Sequence, residues 1–244
     1  MAALKRRRID VLGSLASGSF RLRHRYRRLP GFSGTVTAVG LQQLRSNPEV
    51  ASVYLDGEVW GTLAEGGALI RADVARAAGV LGRGATVAVL DTGIDYRNWN
   101  LGGCLGPLCK VIGGRDFVND DDDPLDDNGH GTAVAGIVGA DGAHPNLAAR
   151  VLGIAPAVKL VALKALNAAG SGPFSDIDAA LDYVLDHPEL GVRVINMSLG
   201  NGGQYNDPSA FPCSGSLTST AVAALASTGV TVLVAFPACD TWPM

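Results

Sequence analysis

Ala85-Thr86-Val87-Ala88-Val89-Leu90 is an unbroken apolar run, and Asp91-Thr92-Gly93-Ile94-Asp95 follows it directly. A strand wetted on one face alternates apolar and polar residues. One that is apolar throughout is buried on both faces, as in a parallel sheet covered by helices. Residues 158–163, 192–197 and 230–235 repeat this character, and helical candidates lie between them at 131–138, 175–185 and 216–227. Strands alternating with helices predict an α/β fold with a mainly parallel sheet flanked by helices. Functional groups gather at the carboxyl ends of such strands. Asp91 is therefore the first candidate residue, its alternative role being that of a turn cap.

Upstream the pattern changes. Residues 33–39 alternate like a strand, 40–46 suit a short helix, Asn47-Pro48 marks a turn and 50–54 suit a second strand. Residues 61–83 hold a Gly66-Gly67 break and a helical run over 71–78 that ends at Gly79. The chain thus divides into a basic N-terminal arm (1–30), a small α+β segment (31–60), a linker with a helix (61–83) and an α/β domain (84–244).

With 244 residues, 47% hydrophobic and 18% charged, the chain can bury a core and is neither disordered nor a charge-rich coiled coil. The net charge of −3 hides an asymmetry: residues 1–28 carry nine Lys and Arg against one Asp, a net of +8, leaving −11 for the rest. No aromatic interleaving or RNA-binding motif accompanies the basic arm, so a solvated terminus is expected rather than a nucleic-acid contact. The apolar runs are too short to span a bilayer. Asp10 comes too early, and the apolar run after Lys5-Arg6-Arg7-Arg8 is too short, for a convincing signal peptide. Four cysteines match no zinc spacing. Cys104 and Cys109 are placed to close a small loop if the protein is exported, the alternative being free thiols.

His130 stands in Asp127-Asn128-Gly129-His130-Gly131-Thr132-Ala133-Val134-Ala135-Gly136-Ile137. Glycines on both sides allow close backbone approach, and the small apolar run after it suits a helix buried against the sheet. An aspartate and a histidine in fixed positions suggest a base held in one tautomer by a carboxylate. In this order the two segments resemble the subtilisin-like serine protease family (peptidase S8), in which Asp and His precede the catalytic Ser. A bare Asp-Thr-Gly also occurs in aspartic proteases, but no second carboxylate in a matching β-rich lobe is present. A nucleotide-binding α/β protein is disfavoured, since no glycine-rich phosphate loop follows residues 87–90.

The resemblance extends further. Residues 194–200, with Ser198, Leu199 and Gly200, look like the family strand that pairs with substrate backbone. Residues 166–175, with Gly170, Ser171 and Gly172, look like the opposite edge strand. A peptide or protein substrate would lie extended between them. Some thermostable family members bind calcium in the loop before the His, and that match would place Asp116, Asp121 and Asp123 near an ion. A solvated acidic loop is the alternative reading, and no cofactor is required. Residues 31–60 resemble the later part of the family's inhibitory propeptide, whose first strand is expected to be missing here, replaced by the basic arm. Cutting is expected between Trp60 and Ala68, and the family implies secretion.

The likeness stops near residue 235. The family nucleophile lies in a Gly-Thr-Ser-Met-Ala-like segment that this sequence does not contain. Ser198, Ser214, Ser216 and Ser219 stand in other contexts. After the strand at 231–235, Phe236-Pro237-Ala238 replaces the family's Ala-Gly-Asn, whose Asn completes the oxyanion hole. The resemblance therefore implies a serine endopeptidase, while this chain by itself is expected to be inactive. The other expectation is a non-catalytic chain that binds peptide or inhibits a related protease.

Overall fold

The computed structural model describes residues 10–61, 71–200 and 216–235. Its N-terminal part holds β1 (Phe20–Arg25), β2 (Phe32–Val36), helix α1 (Ala38–Ser46) and β3 (Glu58–Gly61). After α2 (Ala72–Ala77) come β4 (Thr86–Asp91), β5 (Val111–Asp116), α3 (His130–Gly139), β6 (Lys159–Lys164), β7 (Ser171–Pro173) and α4 (Phe174–Asp186). The last elements are β8 (Val192–Met197), β9 (Leu199–Gly200), α5 (Leu217–Ser227) and β10 (Thr231–Val234).

Five strands form one parallel sheet in the order β10-β8-β4-β6-β5. This is the α/β architecture that the apolar runs imply. Period-2 geometry sends alternate side chains of β4 to opposite faces. Val87 and Val89 pack with Val134 and Ala135 of α3, while Ala88 and Leu90 pack with Ile177, Leu181 and Leu225 of α4 and α5. Two cores on two faces explain why no position of β4 between Thr86 and Asp91 is polar. Cys104 and Cys109 form a disulfide closing the loop before β5.

Three elements differ from the sequence reading. β5 reads Val-Ile-Gly-Gly-Arg-Asp and carries no continuous apolar signal. It pairs because Gly114 leaves room for β6: a Cβ there would stand 2.1 Å from the Ala162 carbonyl oxygen. Residues 50–54 form no strand, and the strand of that region is β3, six residues on from Ser52. The third is a strand where a solvated arm is expected, while residues 1–9, ahead of the helical stretch at 10–13, lie outside the described residues. β1 lies inside the expected basic arm and pairs antiparallel with β2, from Phe20 opposite Val36 to Arg25 opposite Phe32.

Residues 56–57 also serve α4. The Asp56 carboxylate accepts the Ser175 N–H (2.7 Å), and the Gly57 carbonyl accepts that of Phe174 (2.9 Å). Two of the N–H groups that a helix start leaves unpaired are thereby satisfied by the N-terminal region.

Candidate active site

β4 delivers Asp91 to the carboxyl end of the sheet, where its side chain has no solvent exposure. Asp91 Oδ1 accepts the Thr92 backbone N–H (2.7 Å) and lies 2.7 Å from His130 Nδ1. His130 is the first residue of α3 and its ring is 11% exposed. The two glycines around it serve different ends. Gly129 has φ +103°, a conformation that side chains resist. Gly131 permits contact: a Cβ there would stand 2.2 Å from the Gly93 carbonyl oxygen and 3.1 Å from Asp91 Cβ. The helix thus rests directly on the turn that follows Asp91.

A carboxylate facing Nδ1 requires the proton on Nδ1, which leaves the Nε2 lone pair as the free base. Nε2 and Asp91 Oδ2 are buried and have no hydrogen-bond partner among the described residues. Burial pushes the Asp91 carboxyl above the usual carboxylate range, against the hydrogen bonds from His130 and Thr92 that favour its ionised form.

Two residues that the sequence reading missed hold this arrangement. Asp126 accepts the Thr92 hydroxyl (2.8 Å) and the backbone N–H groups of Asn128, Gly129 and Thr132 (2.9 Å each), and also the Thr132 hydroxyl. Burial disfavours its charge, but these donors outweigh burial and hold its carboxyl below the usual range. An aspartate a few residues before a helix start is a capping signal, and it was there to be read. Lys164, 1% exposed, ends β6 beside Asp91 in register. Its ammonium donates to the carbonyls of Thr92 (2.9 Å) and Leu166 (3.3 Å) and to the Asp127 carboxylate. A charge inside an apolar strand gave no hint of that role.

The residues expected to grip substrate are brought together around β3. Ser171 and Gly172 pair antiparallel with Trp60 and Val59, while Leu199 and Gly200 pair with Gly61 and Trp60. β3 is thus the middle strand of a three-stranded sheet, β7-β3-β9. Gly170 lies in the turn before β7, and the Ser198 hydroxyl accepts from Asn196 Nδ2 (2.9 Å) between β8 and β9. Ser216 caps α5 and Ser219 donates to the Ser216 carbonyl, so neither hydroxyl is bonded to His130. Ser214, the segment after 235 and the cutting site expected between 60 and 68 fall outside the described residues, apart from Trp60 and Gly61.

The acidic loop is wired to itself. Asp116 accepts the N–H groups of Val118 (2.8 Å) and Asn119 (2.9 Å) and the Asn119 side-chain amide. Asp121 accepts from Asp123 N (2.9 Å), and Asp123 accepts from the Tyr96 hydroxyl (2.7 Å). Arg115 pairs with Asp120 and Asp122. The three carboxylates expected around calcium therefore do not converge. Among the described residues no three acidic, His or Cys groups are placed to hold a metal ion.

A family model described as the subtilase family matches residues 82–236, and a second, peptidase inhibitor I9, matches residues 2–60. The chain belongs to the subtilase family. Its relatives include the thermophilic serine proteinase of Bacillus sp. (strain AK1), 46% identical over 117 residues, which are 48% of this chain and 26% of that protein. The thermostable alkaline protease of Halalkalibacterium halodurans is 32% identical over 73% of this chain and 45% of its own length. Serine protease AprX of Bacillus subtilis is 35% identical over 74% and 40%. This subtilase chain spans less than half the length of each of these relatives. The inhibitor match begins within the basic arm, consistent with β1 belonging to the same small unit as β2.

Proposed function

We propose that this subtilase chain carries the Asp and His of a serine endopeptidase together with the inhibitory segment that covers its cleft. The observation that carries the reading is the 2.7 Å contact between Asp91 and His130 Nδ1, with Nε2 left open at the end of a parallel sheet. His130 would take the proton of an attacking serine hydroxyl through Nε2 and return it to the leaving amine. Asp91 would hold the ring in the required tautomer and stabilise the imidazolium. Its own partly desolvated charge gains more from that cation than a solvated carboxylate would.

The peptide substrate would be an extended chain taken up between β7 and β9 by backbone pairing. That site holds β3, at the end of the region matching the I9 inhibitors, which supports the reading of residues 2–61 as an inhibitory segment. An extracellular place of action is supported by the Cys104–Cys109 disulfide. Among the described residues no helix is long and apolar enough to cross a membrane.

Residues 1–244 contain no Gly-Thr-Ser-type segment and no Ala-Gly-Asn after β10, so these residues alone are proposed to be inert. A fluorophosphonate probe tests this. The expected result is no labelled serine in the 244-residue chain, whereas a longer protein containing such a segment labels once its inhibitory segment is removed. A labelled serine within 1–244 would overturn the assignment of inactivity. The other reading, a non-catalytic inhibitor of a related protease, is favoured by the same β3 placement and predicts inhibition of a subtilase added in trans.

A further inference from the structure

β6 ends on a charge that needs partners. The Lys164 side chain is 1% exposed, and an ammonium taken out of water is stable only beside close acceptors. It has three N–H donors, and three acceptors surround it: the Thr92 carbonyl (2.9 Å), the Leu166 carbonyl (3.3 Å) and the Asp127 carboxylate. These lie in three different segments. Thr92 follows Asp91, Asp127 stands three residues before His130, and Leu166 opens the turn that leads into β7. The main chain beside Lys164 reaches the same place, since the Asp91 carbonyl accepts the N–H groups of Ala165 (2.9 Å) and Leu166 (3.1 Å).

A second bridge runs next to the first. Asn128 Oδ1 accepts the His130 N–H (3.1 Å), and the Asn128 amide donates to the Ala168 carbonyl (3.0 Å). From there the turn closes on β7. The Asn167 N–H meets the Ser171 carbonyl (2.9 Å), and Asn167 Oδ1 takes the N–H groups of Ala169 (2.9 Å) and Ser171 (3.3 Å). Asp127 is 47% exposed, so water could solvate its charge and the ion pair is not there to rescue a buried carboxylate. The buried partner is the lysine. What it supplies is contact with three segments at one point, which no apolar side chain at the end of β6 could make.

We propose that Lys164 is a positioning residue that ties the peptide-binding edge to the Asp91–His130 pair. Its ammonium sets the Thr92 turn against the Asp127 loop, and with them the line from Asp91 Oδ1 to His130 Nδ1. Its bond to Leu166 makes the turn into β7 part of the same assembly. This rests on the reading of Asp91 and His130 as the proton-handling pair and of β7 as a peptide-binding edge, and names the residue that joins them.

Proton NMR of the 244-residue chain tests it through the His130 Nδ1 proton, which a hydrogen bond to Asp91 moves to low field and shields from exchange with water. K164M and D127N are each expected to speed that exchange by about tenfold or more, the effect of losing a charge-assisted bond. K164M removes a positive charge and D127N a negative one, so a field acting on the pair would move the two variants in opposite directions. Positioning moves both the same way, and K164M/D127N is expected to be no faster than the faster single. Amide exchange at residues 167–171 should quicken in both variants, while 86–90 and 192–197 stay protected and report an intact sheet. D127N alters a half-exposed side chain, so it keeps the test available if K164M does not fold. Opposite shifts, singles that multiply in the double, or an unchanged Nδ1 proton or 167–171 turn in D127N would overturn the proposal. A wild-type chain with no low-field Nδ1 proton would overturn the Asp91–His130 reading beneath it, and the proposal with it.

Discussion

Two strands of the same sheet, β4 and β5, end on a buried aspartate, and only one of the two aspartates is left with anything to do. Asp116 at the end of β5 is 2% exposed and spends its oxygens on its own turn, on the N–H groups of Val118 and Asn119 and the Asn119 amide. Asp91 at the end of β4 gives one oxygen to Thr92 N–H and His130, and keeps the other without a partner among the described residues. Strand-end position and burial are common to both. What separates a working carboxylate from a structural one is whether its acceptor capacity is consumed within its own turn or held open for another element.

Substitution to asparagine should divide the two most sharply. In a whole protein that includes the serine segment, D91N is expected to lower kcat/KM about 10⁴-fold, because the amide favours the wrong imidazole tautomer. D116N should stay within about tenfold in kcat/KM while costing about 1–3 kcal/mol of stability, since it turns an accepting oxygen into a donor facing other donors. Hydrolysis of a peptide substrate and urea unfolding read the two effects separately. If D116N were as inactive as D91N, the comparison would break.

Asp126 shows how the open carboxylate is kept in place. D126N is expected to reduce kcat/KM about a hundredfold in the same assay, by loosening α3 against the Thr92 turn and moving His130 off its line. A change below threefold would mean that the Gly131 contact alone holds the helix.

A third buried aspartate sharpens the contrast through pH. Burial pushes Asp178 of α4 up to about 7, with its bond from Thr218 opposing and Asp56 adding repulsion. The folded pKa lies above the unfolded one, so the folded chain binds more protons between about 4 and about 7. Unfolding free energy should therefore fall as pH rises through that window and level off above it. Urea titrations from pH 4 to 8 should show the fall in the wild type and a flatter profile in D178N. The smallest effect concerns calcium: excess chelator is expected to leave Tm unchanged, because the carboxylates of the acidic loop are met by backbone N–H groups, Arg115 and Tyr96. A Tm that rises with calcium concentration would show an ion site after all.

The sequence made part of this legible. β4, β6, β8 and β10 announce themselves because each carries a run of mostly apolar residues, and Asp91 and His130 stand out at a strand end and between glycines. β5 did not, since an edge strand with Gly113 and Gly114 needs only a shape that admits β6. β1, reading Phe-Arg-Leu-Arg-His-Arg, looks like a solvated arm until α4 supplies Asp176, the carboxylate that Arg23 and His24 meet. β3 pairs with residues more than 100 positions away, and no local pattern encodes such a partner. Asp126 carries a local capping signal ahead of α3, but its bond to Thr92, like the contacts of Lys164, joins segments that only the fold brings together.

The seating of Gly131 on the Gly93 carbonyl has a last consequence, for variation rather than for chemistry. The distance between base and carboxylate is set by main chain resting on main chain, so no rotamer change can absorb an added carbon there. In a saturation library screened for function, position 131 should return glycine alone. Position 129, with open space around it and only a dihedral penalty, should tolerate a scatter of residues at reduced yield. One flank of the histidine is a fixed datum and the other an adjustable one, and directed evolution of this scaffold has its freedom on the second.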